Sequence, residues 1–175
     1  MAMTLLLGGA RSGKSALAVR LASASSRRVV FLATAEARDD EMADRIDRHR
    51  AARPAAWTTV EVPLALSEAI RDVEEGACMI LDCLSLWVSN EMEVGTDDDA
   101  IVAKARRVAG ALAAREAPTV VITNEVGLGI VPVNELARRY RDVLGRVNAA
   151  FVEASDTAYF VVAGRALPLE EPTFA

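Results

Sequence analysis

Residues 8–15 read Gly8-Gly9-Ala10-Arg11-Ser12-Gly13-Lys14-Ser15, a complete G-x-x-x-x-G-K-[ST] pattern. The chemistry this pattern supports is the binding of a nucleoside triphosphate. Glycines let the loop curl until backbone N–H groups converge on phosphate oxygens. A helix starting at Lys14 adds the partial positive charge of its N-terminus. Lys14 brings a compact ammonium to the β- and γ-phosphates, and Ser15 offers a hydroxyl to Mg2+. The chain has two lysines, Lys14 and Lys104, against 18 arginines, so one of the two stands in this loop. A plain glycine turn is the competing reading, but it accounts for neither the strand before nor the helix after. Asp82 closes the run Met79-Ile80-Leu81-Asp82. A carboxylate at the C-terminal end of a buried strand is placed to share the Mg2+ shell with Ser15. Its alternative is a helix cap for Leu84 onward.

The single histidine, His49, carries any chemistry that needs an imidazole. It lies in a segment opened by Asp39-Asp40-Glu41 and closed by Arg48-His49-Arg50, the polarity a helix macrodipole prefers, with Pro54 as the stop. At 100° per residue Met42, Arg45, Ile46, His49 and Arg53 share one face. Three readings stay open from the residues alone. One is a structural histidine on a half-buried helix. Another is a metal ligand, for which no second histidine or cysteine cluster exists. The third is a nucleophile kept neutral by flanking guanidinium groups, which would also neutralise a triphosphate attacked at its α-phosphorus.

The elements that position these groups follow from periodicity. Near-continuous apolar runs at Thr4–Leu7, Val29–Ala33, Thr58–Val62, Cys78–Asp82, Thr119–Thr123 and Thr157–Ala163 read as strands covered on both faces. Between them, helical spacing marks Lys14–Ala24, Asp39–Ala52, Leu64–Glu74, Asp98–Arg115 and Asn134–Ser155. This alternation predicts a single α/β domain over residues 1–175, a three-layer sandwich with a mostly parallel central sheet. The acidic stretch Glu91–Asp99 is expected to be a surface loop ending in an N-cap at Asp97 or Asp98. On the last helix Leu136, Tyr140, Leu144, Val147 and Phe151 are expected in the core, as are Trp57 and Trp87.

The chain's 175 residues are 52% hydrophobic and 26% charged, with a net charge of −5. This is globular composition, and its acidity argues against nucleic-acid binding. No apolar run reaches membrane-spanning length, and the N-terminus lacks the basic region of a secretory signal, so a cytoplasmic location is expected. Cys78 and Cys83 form no C-x-x-C pair and read as small buried hydrophobes. The strand at Thr119 ends Thr123-Asn124-Glu125-Val126, without the N-K-x-D segment by which GTPase switches read guanine. Protein-kinase signatures are also missing.

Several further motifs occur in order. They are Ala33-Thr34-Ala35, Asp40-Glu41-Met42 with Arg45-Ile46 and His49, Arg53-Pro54, Trp57, Glu61, Asn124-Glu125-Val126-Gly127-Leu128-Gly129-Ile130-Val131-Pro132, Arg141-Asp142, Gly145 and Asn148. Together with the phosphate loop they resemble the bifunctional adenosylcobinamide kinase / adenosylcobinamide-phosphate guanylyltransferase family of cobalamin biosynthesis, from about Leu5 to Leu169. The resemblance implies a RecA-like P-loop NTPase fold and two reactions. ATP or GTP phosphorylates the aminopropanol hydroxyl of adenosylcobinamide. GTP then donates GMP to that phosphate through a GMP–histidine intermediate, releasing pyrophosphate and forming adenosylcobinamide-GDP. His49 matches the intermediate's position and Gly8 to Ser15 the phosphate site. Thr34, Ala35, Glu36, Arg50, Ala51, Ala52, Arg53, Glu61 and Asp82 match guanine-nucleotide contacts. The resemblance also implies a homotrimer.

Two plainer functions remain beside it: a P-loop small-molecule kinase alone, or a RecA-like nucleotide switch or assembly subunit. The segment 124–132 is either a tight turn at a sheet edge or a substrate or subunit contact at the C-terminal rim of the sheet. Within it Glu125 is a candidate base for the kinase step.

Overall fold

The computed structural model describes residues 3–51 and 53–171; Ala52, the side chain of Arg45 and the tail from residue 172 lie outside the described residues. Its strands are β1 (Met3–Gly8), β2 (Val29–Ala33), β3 (Thr58–Glu61), β4 (Cys78–Asp82), β5 (Thr119–Asn124), β6 (Thr157–Val162) and β7 (Arg165–Pro168). They form one sheet in the order β3-β2-β4-β5-β1-β6-β7. Every pairing is parallel except β6 with β7. The helices are α1 (Lys14–Ala24), α2 (Asp40–Ala51), α3 (Leu66–Asp72), α4 (Leu84–Glu93), α5 (Asp98–Ala113) and α6 (Glu135–Ala154).

Successive residues of a strand face opposite sides, so each apolar run feeds two cores. Leu5 and Leu7 of β1 join Leu32, Met79, Leu81 and Val121 under α3, α4, α5 and α6. Leu6 joins Phe31, Ile80, Val120 and Ile122 against Ala18 and Ala22 of α1. This is the expected three-layer α/β sandwich.

Three expectations need correction. β7 was not expected: its four residues are all exposed and it pairs antiparallel at the sheet edge, so no buried alternation marks it. The stretch read as an acidic loop from Glu91 instead contains the end of α4, and Glu91 is only 2% exposed. Its carboxylate is buried because it is fully partnered. Lys104 Nζ donates to both oxygens at 3.0 and 2.7 Å, and Thr96 Oγ1 donates at 2.7 Å. The N-cap of α5 is Asp97, whose Oδ1 accepts from the N–H groups of Asp99 and Ala100. Leu136 is 61% exposed rather than in the core, whereas Leu144, Val147 and Phe151 are buried as expected. Trp87 is buried with its indole N–H on Leu64 O at 3.1 Å, and Trp57 packs partly buried against the α1-side core.

One glycine is demanded by space. A Cβ on Gly8 would lie 2.3 Å from Val161 O, a backbone atom of β6. Gly8→Ala is expected to force β1 and β6 apart and to cost about 3 kcal/mol. A urea titration should show the midpoint falling at unchanged slope; an unchanged midpoint would show that the two strands separate without penalty.

Candidate active site

β1 delivers the chain to Gly8, and α1 resumes regular structure at Lys14. Between them the loop turns through Gly13 at φ 102°, a left-handed conformation that glycine adopts without a Cβ clash. Lys14 is buried, and its Nζ donates to Gly8 O at 2.8 Å and Gly9 O at 2.7 Å. Its ammonium is thereby held across the loop's own carbonyls. Ser15 Oγ donates to Asp82 Oδ2 at 3.5 Å. That contact reaches from α1 to the end of β4, two strands from β1 in the sheet order. Burial pushes the Asp82 carboxyl above its ordinary range, against the opposing pull of its neighbours His49, Arg53 and Lys14.

His49 approaches from the other side on α2. Asp39 starts that helix, its Oδ1 accepting the Met42 N–H at 2.7 Å, and Arg48, His49 and Arg50 fill the last turn. His49 is half-buried and lines one cavity of about 750 Å³ together with Ala10 to Ser15, Arg53 and Asp82. The Arg53 guanidinium lies 3.4 Å over the centre of the Phe31 ring, which fixes its plane, and burial lowers its pKa. The loop, the carboxylate, an arginine and the imidazole, far apart in sequence, therefore face one space.

Sequence reasoning missed Phe31, Arg20, Arg48 and Glu41, which also line this cavity. Phe31 sits in an apolar strand and carried no signal; Arg20 and Arg48 are two of many arginines. Asn124 lines the cavity as well, from the end of β5.

Gly8, Gly9, Thr34, Ala35, Glu36, Arg50, Ala51 and Glu61 are not among the described residues lining it. Thr34 is fully buried; its Oγ1 accepts the Cys83 N–H at 2.9 Å and donates to Cys83 O at 2.8 Å. It clamps β2 to the residue after Asp82 instead of presenting its hydroxyl to a nucleotide. Asn90, also missed, extends the clamp: its side-chain amide donates to Thr34 O at 2.9 Å and Pro63 O at 3.0 Å. Glu36 pairs with Arg38, and Arg50 pairs with Glu61 at 2.6 Å on the exposed side of α2. Glu125 donates its N–H to Gly8 O at 3.1 Å, and its carboxylate accepts the Gly127 N–H. Beyond it the segment is open to water, with Ile130 97% and Val133 96% exposed.

Both cysteines are free and buried, as expected. Burial raises the Cys78 thiol, and burial with the nearby Asp82 charge pushes Cys83 up to about 11. Since the thiolate is the reactive form, native protein at pH 8 is expected to resist iodoacetamide at both positions. Mass spectrometry should find both alkylated only after unfolding; rapid native labelling would contradict the burial.

The family described as "Cobinamide kinase / cobinamide phosphate guanyltransferase" matches residues 4–169. This chain belongs to that family. Among curated members, the bifunctional adenosylcobalamin biosynthesis protein CobP of Pseudomonas aeruginosa is 44% identical, over 95% of this chain and 96% of its own. The bifunctional adenosylcobalamin biosynthesis protein CobU of Escherichia coli is 41% identical, over 93% and 96%. As a member of the cobinamide kinase / guanyltransferase family the chain is an enzyme that uses nucleotide substrates. Solved structures share its fold at low identity. The RadB recombinase superposes with a TM-score of 0.52 at 14% identity, covering 91% of this chain and 73% of that one. A type III secretion ATPase gives 0.54 at 12%, over 91% and 50%. These likenesses place the fold among RecA-like P-loop proteins. Among the described residues no helix is long and apolar enough to cross a membrane.

Proposed function

We propose that this chain phosphorylates the aminopropanol hydroxyl of adenosylcobinamide with ATP or GTP, and then moves GMP from GTP onto the new phosphate by way of His49. The observation that carries this reading is the shared cavity: His49 and the phosphate loop line the same space. A kinase alone would need the loop but no imidazole beside it, and a nucleotide switch would need neither His49 nor the arginine over Phe31.

In the kinase step the loop N–H groups and Lys14 hold the transferring phosphoryl; the acceptor hydroxyl oxygen forms the new P–O bond as the β–γ bridge breaks, the bridge's electron pair leaves with the nucleoside diphosphate, and the hydroxyl proton passes to water. In the second reaction the lone pair of the His49 imidazole attacks the α-phosphorus. A P–N bond forms, the α–β bridging bond breaks, and its electron pair leaves with pyrophosphate. An oxygen of adenosylcobinamide phosphate then attacks the same phosphorus, and the P–N pair returns to the ring. A neutral nucleophile avoids bringing two phosphate anions together in the first displacement, and the transfer splits into two easier steps. Arg53 and Arg48 place positive charge where oxygen charge develops.

Ser15 and Asp82 supply two hard oxygens already within 3.5 Å of each other, a donor pair suited to Mg2+ held jointly with nucleotide phosphates. Mg2+ bound there would draw negative charge from the departing pyrophosphate. Arg50 in the last turn of α2 and Glu61 at the end of β3, with Ala35, Glu36 and Ala51, are proposed to serve the guanine end of GTP, as is Ala52, which lies outside the described residues; the Glu61 carboxylate suits the N–H edge of guanine. Thr34 contributes by holding the backbone. We assign the chain no nucleic-acid partner, from its acidity, and a cytoplasmic site of action. A homotrimer is the proposed assembly, and the exposed apolar side chains Leu128, Ile130, Val131 and Val133 support a covered surface there.

The test is to incubate the protein with α-labelled GTP and Mg2+, denature it, and look for acid-labile, base-stable label. Label on His49 supports the reading. Absence of protein-bound label while adenosylcobinamide-GDP still forms would overturn the histidine route.

A further inference from the structure

β6 and β7 form a hairpin in which Val162 pairs with Arg165. The two residues between them, Ala163 at φ 49° and Gly164 at φ 75°, are both left-handed, as a two-residue hairpin turn with matching twist requires. This turn rests on the phosphate loop. The Gly164 N–H donates to Ser12 O at 2.8 Å. Contact is close enough that a Cβ on Gly13 would lie 3.1 Å from Gly164 Cα.

The Ser12 carbonyl and the Gly13 N–H belong to one peptide unit. In a planar trans peptide the two point in opposite directions. Holding the carbonyl on the hairpin side therefore turns the Gly13 N–H to the other side, and Ser12, Gly13 and Lys14 line the cavity. The first half of the loop has a different restraint, since Gly8 O and Gly9 O are held by Lys14 Nζ. When Lys14 turns to a phosphate that restraint changes partners, but the hairpin bond to Ser12 O does not need to.

We propose that the β6–β7 turn is a positioning element of the nucleotide site, with Gly164 aiming the Gly13 N–H at a bound phosphate. The proposal rests on the reading of Gly8 to Ser15 as the phosphate cradle. It gives the terminal antiparallel strand a part in both reactions, although no side chain of the turn need touch substrate.

A side chain at position 164 would meet nothing within 4 Å, so only the backbone conformation limits substitution there. Asparagine tolerates the left-handed region and valine does not. With GTP as the varied substrate, Gly164→Asn is expected to keep KM within about twofold of the parent. Gly164→Val should raise the GTP KM about tenfold in both reactions, leaving the acceptor KM within about twofold. A general loss of structure would not divide the two KM values in this way. Should the valine variant fail to fold by circular dichroism, Gly164→Ala carries the test, with an expected rise of about threefold. A folded valine or alanine variant with parental GTP KM, or with GTP and acceptor KM raised equally, overturns the proposal. Lys14→Ala separates this from the underlying reading. Undiminished GTP binding in Lys14→Ala would overturn the cradle itself and the hairpin's part with it. Lost binding there, beside a parental KM in Gly164→Val, would overturn the hairpin alone.

Discussion

His49→Ala is expected to lower guanylyl transfer at least ~10³-fold, a loss of about 4 kcal/mol at 1.36 kcal/mol per decade, while the kinase rate stays within about threefold. The asymmetry follows from position. His49 lines the cavity beside the phosphate loop, so its loss removes the nucleophile; the loop and Lys14, on separate elements, are untouched. Folding should be little affected, because the ring is only half-buried and alanine is the best helix former for α2. The measurement is pyrophosphate release with adenosylcobinamide phosphate supplied, set against phosphate transfer to adenosylcobinamide in the same preparation. Equal loss of both rates would mean that His49 supports the site's structure and carries no GMP. Undiminished pyrophosphate release would mean that the acceptor attacks GTP directly.

Lys14→Ala should act in the opposite way, lowering both reactions together by about 10²- to 10³-fold, the usual effect of deleting one preorganised donor to a developing phosphate charge. The ammonium is buried against Gly8 O and Gly9 O, at a place where no other lysine can substitute: Lys104 is committed to the buried Glu91. Lys14→Arg is not expected to restore activity, since a planar fork cannot occupy a pocket shaped by two carbonyls around a point charge. The check is KM for GTP and for ATP in each reaction. A variant that lost only one activity would place the two nucleotides in different sites.

Local signals made much of this legible. β2 and β4 begin and end where their apolar runs do, and α1 starts at the lysine of the loop, because strand burial and helix entry are written in consecutive residues. The convergence of Lys14, Ser15 and Asp82 is legible in the loop motif and the strand that ends in Asp82, whereas His49 beside them is one of three open readings that only the family resemblance selects; periodicity places His49 on a helix face without saying what that face meets. What stayed hidden depends on distant partners. Glu91 looks like a solvated acid until Lys104 and Thr96 are folded against it. Phe31 looks like any core residue until Arg53 covers it. Thr34 looks like a ligand contact until its hydroxyl is claimed by Cys83. β7 is too short and too exposed for any pattern.

The place of β1 in the sheet also bears on biosynthesis. Its neighbours are β5, where Met3 meets Thr119, and β6, where Thr4 meets Thr157. Met3, Leu5, Leu6 and Leu7, all buried in the finished enzyme, are thus translated long before either strand that flanks them in the sheet. At about 5–20 residues per second a ribosome needs roughly 6–23 s to synthesise the stretch from Met3 to Thr119, where the first of these partners begins. For that interval a sticky strand waits in the nascent polypeptide, which makes early chaperone capture, or a slow codon tempo, matter more here than in a sheet whose strands pair in chain order.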